Sequence, residues 1–92
     1  MYYTYILLSD KDHKFYIGYT DNLKIRFENH QKGFVTATAP RRPLRLVFYE
    51  AYLNKSDALR RESYLKTSKG KTTLRSMLKE FLAHGMPKQN GI

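Results

Sequence analysis

The sequence predicts an α+β domain: a three-stranded, mainly antiparallel sheet flanked by helices, in the order β-β-α-β-α-α. Two tyrosine-bearing apolar runs open the chain with a short polar segment between them, the pattern of a strand hairpin. A third run, over 44–52, alternates and is rich in Leu, Val, Phe and Tyr. The other stretches change to helical spacing, most clearly at Leu74, Met77, Leu78, Phe81 and Leu82. With 92 residues, 41% of them hydrophobic, there is material for one modest core, so residues 1–84 are expected to form one domain and 85–92 a tail.

Residues 2–8 are β-branched, aromatic or aliphatic on both faces, which suits a strand buried on both sides. The segment from Ser9 to Lys14 is polar, carries two aspartates and reads as a turn. Residues 15–20 form the second strand. A hairpin symmetric about Asp10 and Lys11 would set Tyr5 opposite Tyr16, with Cβ atoms about 5 Å apart. Thr20 or Asp21 can cap a helix over 22–32, and Gly33 stops it. Residues 34–43, with Thr36, Thr38, Pro40 and Pro43, form a loop before the third strand. Asn54 or Ser56 opens a second helix to about Thr67, broken over 68–71 at Gly70. The third helix continues until Gly85 and Pro87 end it.

Charge points to a polyanionic partner. Seventeen Lys and Arg against eight Asp and Glu leave a net charge of +9. Residues 1–54 hold 8 basic and 5 acidic side chains (+3), and residues 55–92 hold 9 and 3 (+6). A surplus of this size on a small domain suggests nucleic acid, and charge alone attracts RNA as well as DNA. The plain alternative is a solubilising surface. Cysteine is absent, which excludes disulfides, thiolate metal sites and cysteine nucleophiles. The first ten residues read as neither a signal peptide nor a membrane span, so no membrane partner and a cytoplasmic location are expected.

Helical periodicity exposes polar residues on inward faces. With Leu23 at zero and a step of about 100° per residue, Phe27 falls at about 40°, His30 at about 340° and Arg26 at about 300°. Arg26 and His30 thus share the sector of the apolar anchors, and at i, i+4 they can meet. In the second helix, with Ser56 at zero and the same step, Leu65 falls at about 180°, Ala58 at about 200°, Leu59 at about 300° and Glu62 at about 240°. A carboxylate in that stripe must be paired, ligate a metal or open into a cleft. Lys66, four residues on, offers an ordinary helix ion pair.

Taken together these residues resemble the GIY-YIG nuclease family, and most of all its small stand-alone members, related to the catalytic domain of the excision-repair nucleases. The resemblance covers about residues 2–80. Tyr16-Ile17-Gly18 reproduces the second motif element, and Tyr3-Thr4-Tyr5 occupies the first. Arg26 and His30 follow Tyr16 at the family's spacings for its helix arginine and its histidine or tyrosine. Glu62, after Arg60 and Arg61, matches the family's metal-binding glutamate. Two departures stand out: Tyr3 and Thr4 replace Gly and Ile, and Tyr19 stands where the excision-repair relatives carry a lysine.

The resemblance implies a metal-dependent endonuclease that hydrolyses phosphodiester bonds in DNA, structure-specific and linked to repair or recombination. In that reading Glu62 holds one divalent cation, Mg²⁺ or else Mn²⁺, because a single carboxylate suits an ion that keeps its waters. Arg26 grips the scissile phosphate. Tyr5 is the general base, provided nearby cations lower its pKa, and Tyr16 positions water or phosphate. His30 relays the proton or bonds a phosphate oxygen. Lys14 or Lys66 would stand in for the missing lysine. Arg41, Arg42, Arg60, Arg61, Lys69, Lys71 and Arg75 are candidates for gripping the nucleic-acid backbone. Two rivals remain at this point: a nucleic-acid-binding module with little catalysis, and a subunit that needs a protein partner for targeting. A monomer is the default.

Overall fold

Strand β1 (Tyr2–Ser9) lies at the centre of the sheet, and its continuous apolar run follows from that position. Both of its edges are paired and both of its faces are covered, so Thr4 through Leu8 are all buried. In the computed structural model, which describes residues 1–84, β1 pairs antiparallel with β2 (Phe15–Thr20) on one side and β3 (Leu44–Tyr52) on the other, in the order β2-β1-β3. A bulge between Ile6 and Leu7 shifts the register against β3. The expectations placed on Gly85, Pro87 and the 85–92 tail lie outside the described residues.

The hairpin register differs from the sequence expectation. Tyr5 faces Gly18, and Tyr16 faces Leu7. The tight turn responsible is organised by Ser9, whose Oγ accepts from the amides of Lys11 and Asp12 at 3.1 Å and donates to the Arg41 carbonyl. His13 follows in the left-handed region at φ 58. The turn is thus centred between Lys11 and Asp12, one residue later than symmetry about Asp10 and Lys11 would have it. That moves the pairing by two residues, which preserves every side chain's face.

Helix α1 (Leu23–Lys32) is capped by Asn22, whose side chain accepts from the Ile25 amide, rather than by Thr20 or Asp21. Gly33 ends it in the left-handed region at φ 80, as expected. A 3-10 turn (Ala39–Arg41) interrupts the following loop. Helix α2 (Lys55–Leu65) is capped by Asn54. Gly70 does not break a helix. It lies buried in the first turn of α3 (Ser68–Met77), capped by Thr67, because a Cβ there would run into the Tyr64 carbonyl oxygen and meet Leu65 Cα at 2.7 Å. The last helical pattern divides at Leu78, giving a separate α4 (Lys79–His84). The order is therefore β-β-α-β-α-α-α.

The sheet separates two packing layers. Ile6 and Ile17 meet Leu65 and Leu74 of α2 and α3 on one face. On the other, Tyr5, Leu7 and Leu44 pack with Tyr16, Leu46 and the α1 residues Leu23 and Phe27. In α2 only part of the expected stripe is inward: Ala58 and Leu65 are buried, whereas Leu59 is exposed. Among the described residues, no helix is long and apolar enough to cross a membrane.

Candidate active site

The Tyr5 hydroxyl is the junction of the site. It lies 2.7 Å from His30 Nε2 and accepts from Arg26 Nε at 3.2 Å. The central strand fixes the Tyr5 backbone, and Gly18 makes room for its ring. A Cβ at Gly18 would overlap the tip of the ring and meet Cε1 at 2.8 Å, so the second motif element supplies space as well as a phenol. Arg26 and His30 reach the same hydroxyl because they stand one helical turn apart on α1. The Tyr16 ring sits diagonally from Tyr5, with centroids 6.4 Å apart, and edge-on to His30 at 5.2 Å.

His30 has no exposed surface. Its Nδ1 is 2.7 Å from the hydroxyl of Thr38, which is also fully buried and has the Val35 carbonyl at 3.5 Å to donate to. A hydroxyl that donates to Val35 accepts from Nδ1–H, which leaves Nε2 bare to accept the Tyr5 proton. This tautomer is assigned from the partners' chemistry. Burial, with the Arg26 charge adding to it, pushes the His30 pKa down to about 4, so the ring is neutral at pH 7. Thr38 is the residue that sequence reading missed. It stands in a loop eight positions beyond His30, and no periodicity links a loop residue to a helix face.

The Tyr5 pKa is raised. Burial is the largest cause, and the opposing hydrogen bond and charge of Arg26 do not overcome it, while Tyr16 and Glu62 push the same way as burial. The condition set for a standing phenolate is therefore not met by the protein's own cations. Arg26 is held cationic, first by its hydrogen bond to Tyr5, with Tyr16 adding to it.

Glu62 acts on Tyr5 through its charge. Its side chain is 19% exposed, and Oε2 accepts from Lys66 Nζ at 3.2 Å, the helix ion pair foreseen as its alternative. Lys66 is thus engaged with the carboxylate. Lys14 lies in the cleft beside the hairpin turn, with its carbonyl accepting from Arg41. Among the described residues there is no group of three His, Cys, Asp or Glu side chains that could hold a metal. A lone carboxylate near the Tyr5 phenol is a hard-oxygen donor set, the kind that suits Mg²⁺ or Mn²⁺ and not a thiolate-seeking ion.

The basic candidates separate into two kinds. Arg41 and Arg61 are fasteners. Arg41 pairs with Asp12 at 2.7 Å and donates to the Lys14 and Phe15 carbonyls, tying the loop to the hairpin. Its guanidinium also holds the Asp12 pKa down to about 2. Arg61 pairs with Glu50 at 2.9 Å and lies over the Tyr64 ring. Arg60 is exposed and pairs with Asp57, and Arg42 donates to the Ala39 carbonyl. Lys69 is exposed on α3. Lys71 and Arg75 line a cleft of about 510 Å³ with Lys14 and Arg41.

Residues 1–75 match the family model of the GIY-YIG catalytic domain. A UPF0213 protein of Limosilactobacillus reuteri is 39% identical over 88 residues, covering 92% of this chain and 86% of that protein. A UPF0213 protein of Staphylococcus haemolyticus is 42% identical over 67 residues, covering 72% and 80%. The solution NMR structure of a UPF0213 protein from Bacillus halodurans superposes with a TM-score of 0.53 at 36% identity, over 84% of this chain and 85% of that one.

Proposed function

The chain belongs to the GIY-YIG family, and from that membership and the site's geometry we propose that it is a divalent-metal-dependent endonuclease that hydrolyses phosphodiester bonds in DNA. The observation that carries this is the position of one phenol between the His30 imidazole nitrogen Nε2 and the Arg26 guanidinium. Tyr5 acts as a relay: as it takes a proton from the attacking water, its own passes to His30 Nε2, while His30 Nδ1–H stays hydrogen-bonded to Thr38. The phenol is then never a standing anion, and the imidazolium, disfavoured by burial and Arg26, forms only transiently. Arg26, which spends only Nε on Tyr5, shares its terminal nitrogens between Tyr16 and a phosphate oxygen, and its charge is placed where charge develops.

Glu62 would hold the divalent ion, Mg²⁺ by preference. Bound there, the ion would stabilise the leaving oxygen and the charge on the phosphate. Lys69, Lys71 and Arg75, in no ion pair among the described residues, would meet the backbone, with Arg60 and Arg42 contributing if they leave Asp57 and the Ala39 carbonyl. A role in repair or recombination is consistent with a structure-specific cut.

One observation favours the binding-only reading: Lys66 already neutralises Glu62. Purified protein is therefore to be assayed for nicking of single-stranded, branched and plasmid DNA with Mg²⁺ or Mn²⁺, beside Glu62→Ala and Arg26→Ala. The nuclease reading expects cutting by the wild type, none in chelator and none by either variant. If wild type and Glu62→Ala bind alike and neither cuts any substrate in a broad panel, the protein is a binding module.

A further inference from the structure

A second feature shares the sheet face that carries Tyr5. A cavity of about 590 Å³ opens there, lined by Tyr3, Tyr49, Phe27, Leu46, Asp21 and Lys24 among others. Its volume falls within the range of small-ligand sites, about 300–1,000 Å³. The register fixes its relation to the reaction centre. Tyr49 is the direct cross-strand neighbour of Tyr5, and Tyr3 lies one pleat further along β1 on the same face. Helix α1 joins the two places. Leu23 and Phe27 turn to the cavity, and the adjacent stripe of Arg26 and His30 turns to the Tyr5 hydroxyl.

The lining has the chemistry of a flat aromatic ligand with a polar edge. Tyr3 and Tyr49 stand edge to face, with centroids 6.0 Å apart at 65°. Tyr49 is 51% exposed on a strand at the edge of the sheet, so about half of it is accessible to a partner. Phe27 and Leu46 form an apolar wall against the core. Asp21 offers an acceptor for exocyclic amines, and Lys24 offers a cation for a flanking phosphate. A chain of net charge +9 brings nucleic acid to that rim.

We propose that this cavity receives one unstacked nucleobase of the bound strand, stacked on Tyr49 with Tyr3 at its edge, near the phosphate held by Arg26. The proposal rests on the nucleic-acid reading of the site and names its substrate class. Single-stranded or frayed DNA presents a free base, whereas a base within an intact duplex is stacked and paired and must first be extruded.

The test is binding, measured in chelator, where no strand is cut. Fluorescence anisotropy compares a short labelled single strand with the blunt duplex of the same sequence, using full-length wild type, Tyr49→Ala and Tyr49→Phe. Loss of one base–aromatic stack weakens single-strand binding by roughly 5- to 150-fold in Tyr49→Ala. Tyr49→Phe keeps the ring and restores binding, and the duplex affinity changes by less than about twofold, since backbone contacts are untouched. An abasic nucleotide walked along the strand tests the same idea on unmodified protein: one position weakens the wild type and leaves Tyr49→Ala unaffected. The proposal is overturned if Tyr49→Ala binds the single strand as the wild type does, or if it loses single strand and duplex equally. An abasic walk with no sensitive position also overturns it. A wild type that discriminates bases yet cuts nothing defeats the nuclease reading and leaves the base site standing. Normal cutting and single-strand binding by Tyr49→Ala defeats the base site alone.

Discussion

The buried imidazole makes the fold sensitive to acid in a defined window. His30 titrates near 6.5 in an unfolded chain and at about 4 in the folded one, because burial and then Arg26 disfavour its charged form. Between those values the unfolded chain binds a proton that the folded chain refuses, so stability rises with pH there. The contribution is fully present above pH 6.5, declines as the pH falls and is spent below 4. At about 1.4 kcal/mol per tenfold change in proton affinity, the whole effect is about 3.5 kcal/mol, of which about 2.5 kcal/mol is lost by pH 4.5. A small domain has a total stability of only about 5–15 kcal/mol, so the effect is measurable. Urea denaturation at pH 7.5 and at 4.5 is to be compared for wild type and His30→Gln, which cannot titrate. Titrating carboxylates act on both proteins and cancel in the comparison. The wild type should lose about 2.5 kcal/mol more than the variant, and the His30 ring proton should titrate near pH 4 by NMR. Parallel pH profiles, or a midpoint near 6.5, would refute the reasoning that His30 is buried and neutral.

Thr38→Val keeps the shape and leaves Nδ1–H without an acceptor, which should cost about 1–3 kcal/mol in urea denaturation and slow nicking by misplacing the ring. Gly18→Ala drives a Cβ into the Tyr5 ring. It should lower stability by about 1–3 kcal/mol and reduce cutting well beyond that loss, with a changed near-UV dichroism reporting the displaced ring. Gly70→Ala meets backbone that cannot give way. It should cost more than about 3 kcal/mol in thermal unfolding while leaving the chemistry of any folded fraction intact. Duplex affinity should fall linearly on a log–log plot against salt, by about 0.9 per phosphate neutralised, and a flat response would show that the basic surface does not grip the backbone.

Much of the architecture was legible in the residues themselves. A strand buried on both faces has an unbroken apolar run, so the central position of β1 was written into residues 2–8. Arg26 and His30 betrayed the site because each is polar on an apolar helix face, a local pattern that needs no knowledge of the partner. Leu59 shows the limit of that method: periodicity places a side chain on a side of its helix, and only the packing decides whether that side is covered. Gly70 shows another. Glycine ends helices and also permits close helix approach, and the choice falls to the neighbouring backbone of Tyr64 and Leu65.

The strand pairing follows from the hairpin turn, in which Ser9 Oγ accepts from the Lys11 and Asp12 amides and His13 takes the left-handed region. Where Ser9 anchors the turn, Tyr5 meets a glycine instead of a second phenol, and its ring lies over that glycine. The sequence by itself determined the three strands and the helical stretches between and after them, and which polar residues are set on apolar faces, but not where the last helical stretch divides or which apolar side chains are covered. Tertiary structure alone decided that Thr38 seats the imidazole, that burial outweighs Arg26 at the Tyr5 phenol, and that Arg41 and Arg61 are fasteners. The physical reason is range. Periodicity and capping act within a turn or two of the chain, whereas a proton's affinity depends on every charge and every missing water around it, brought there by segments far apart in sequence.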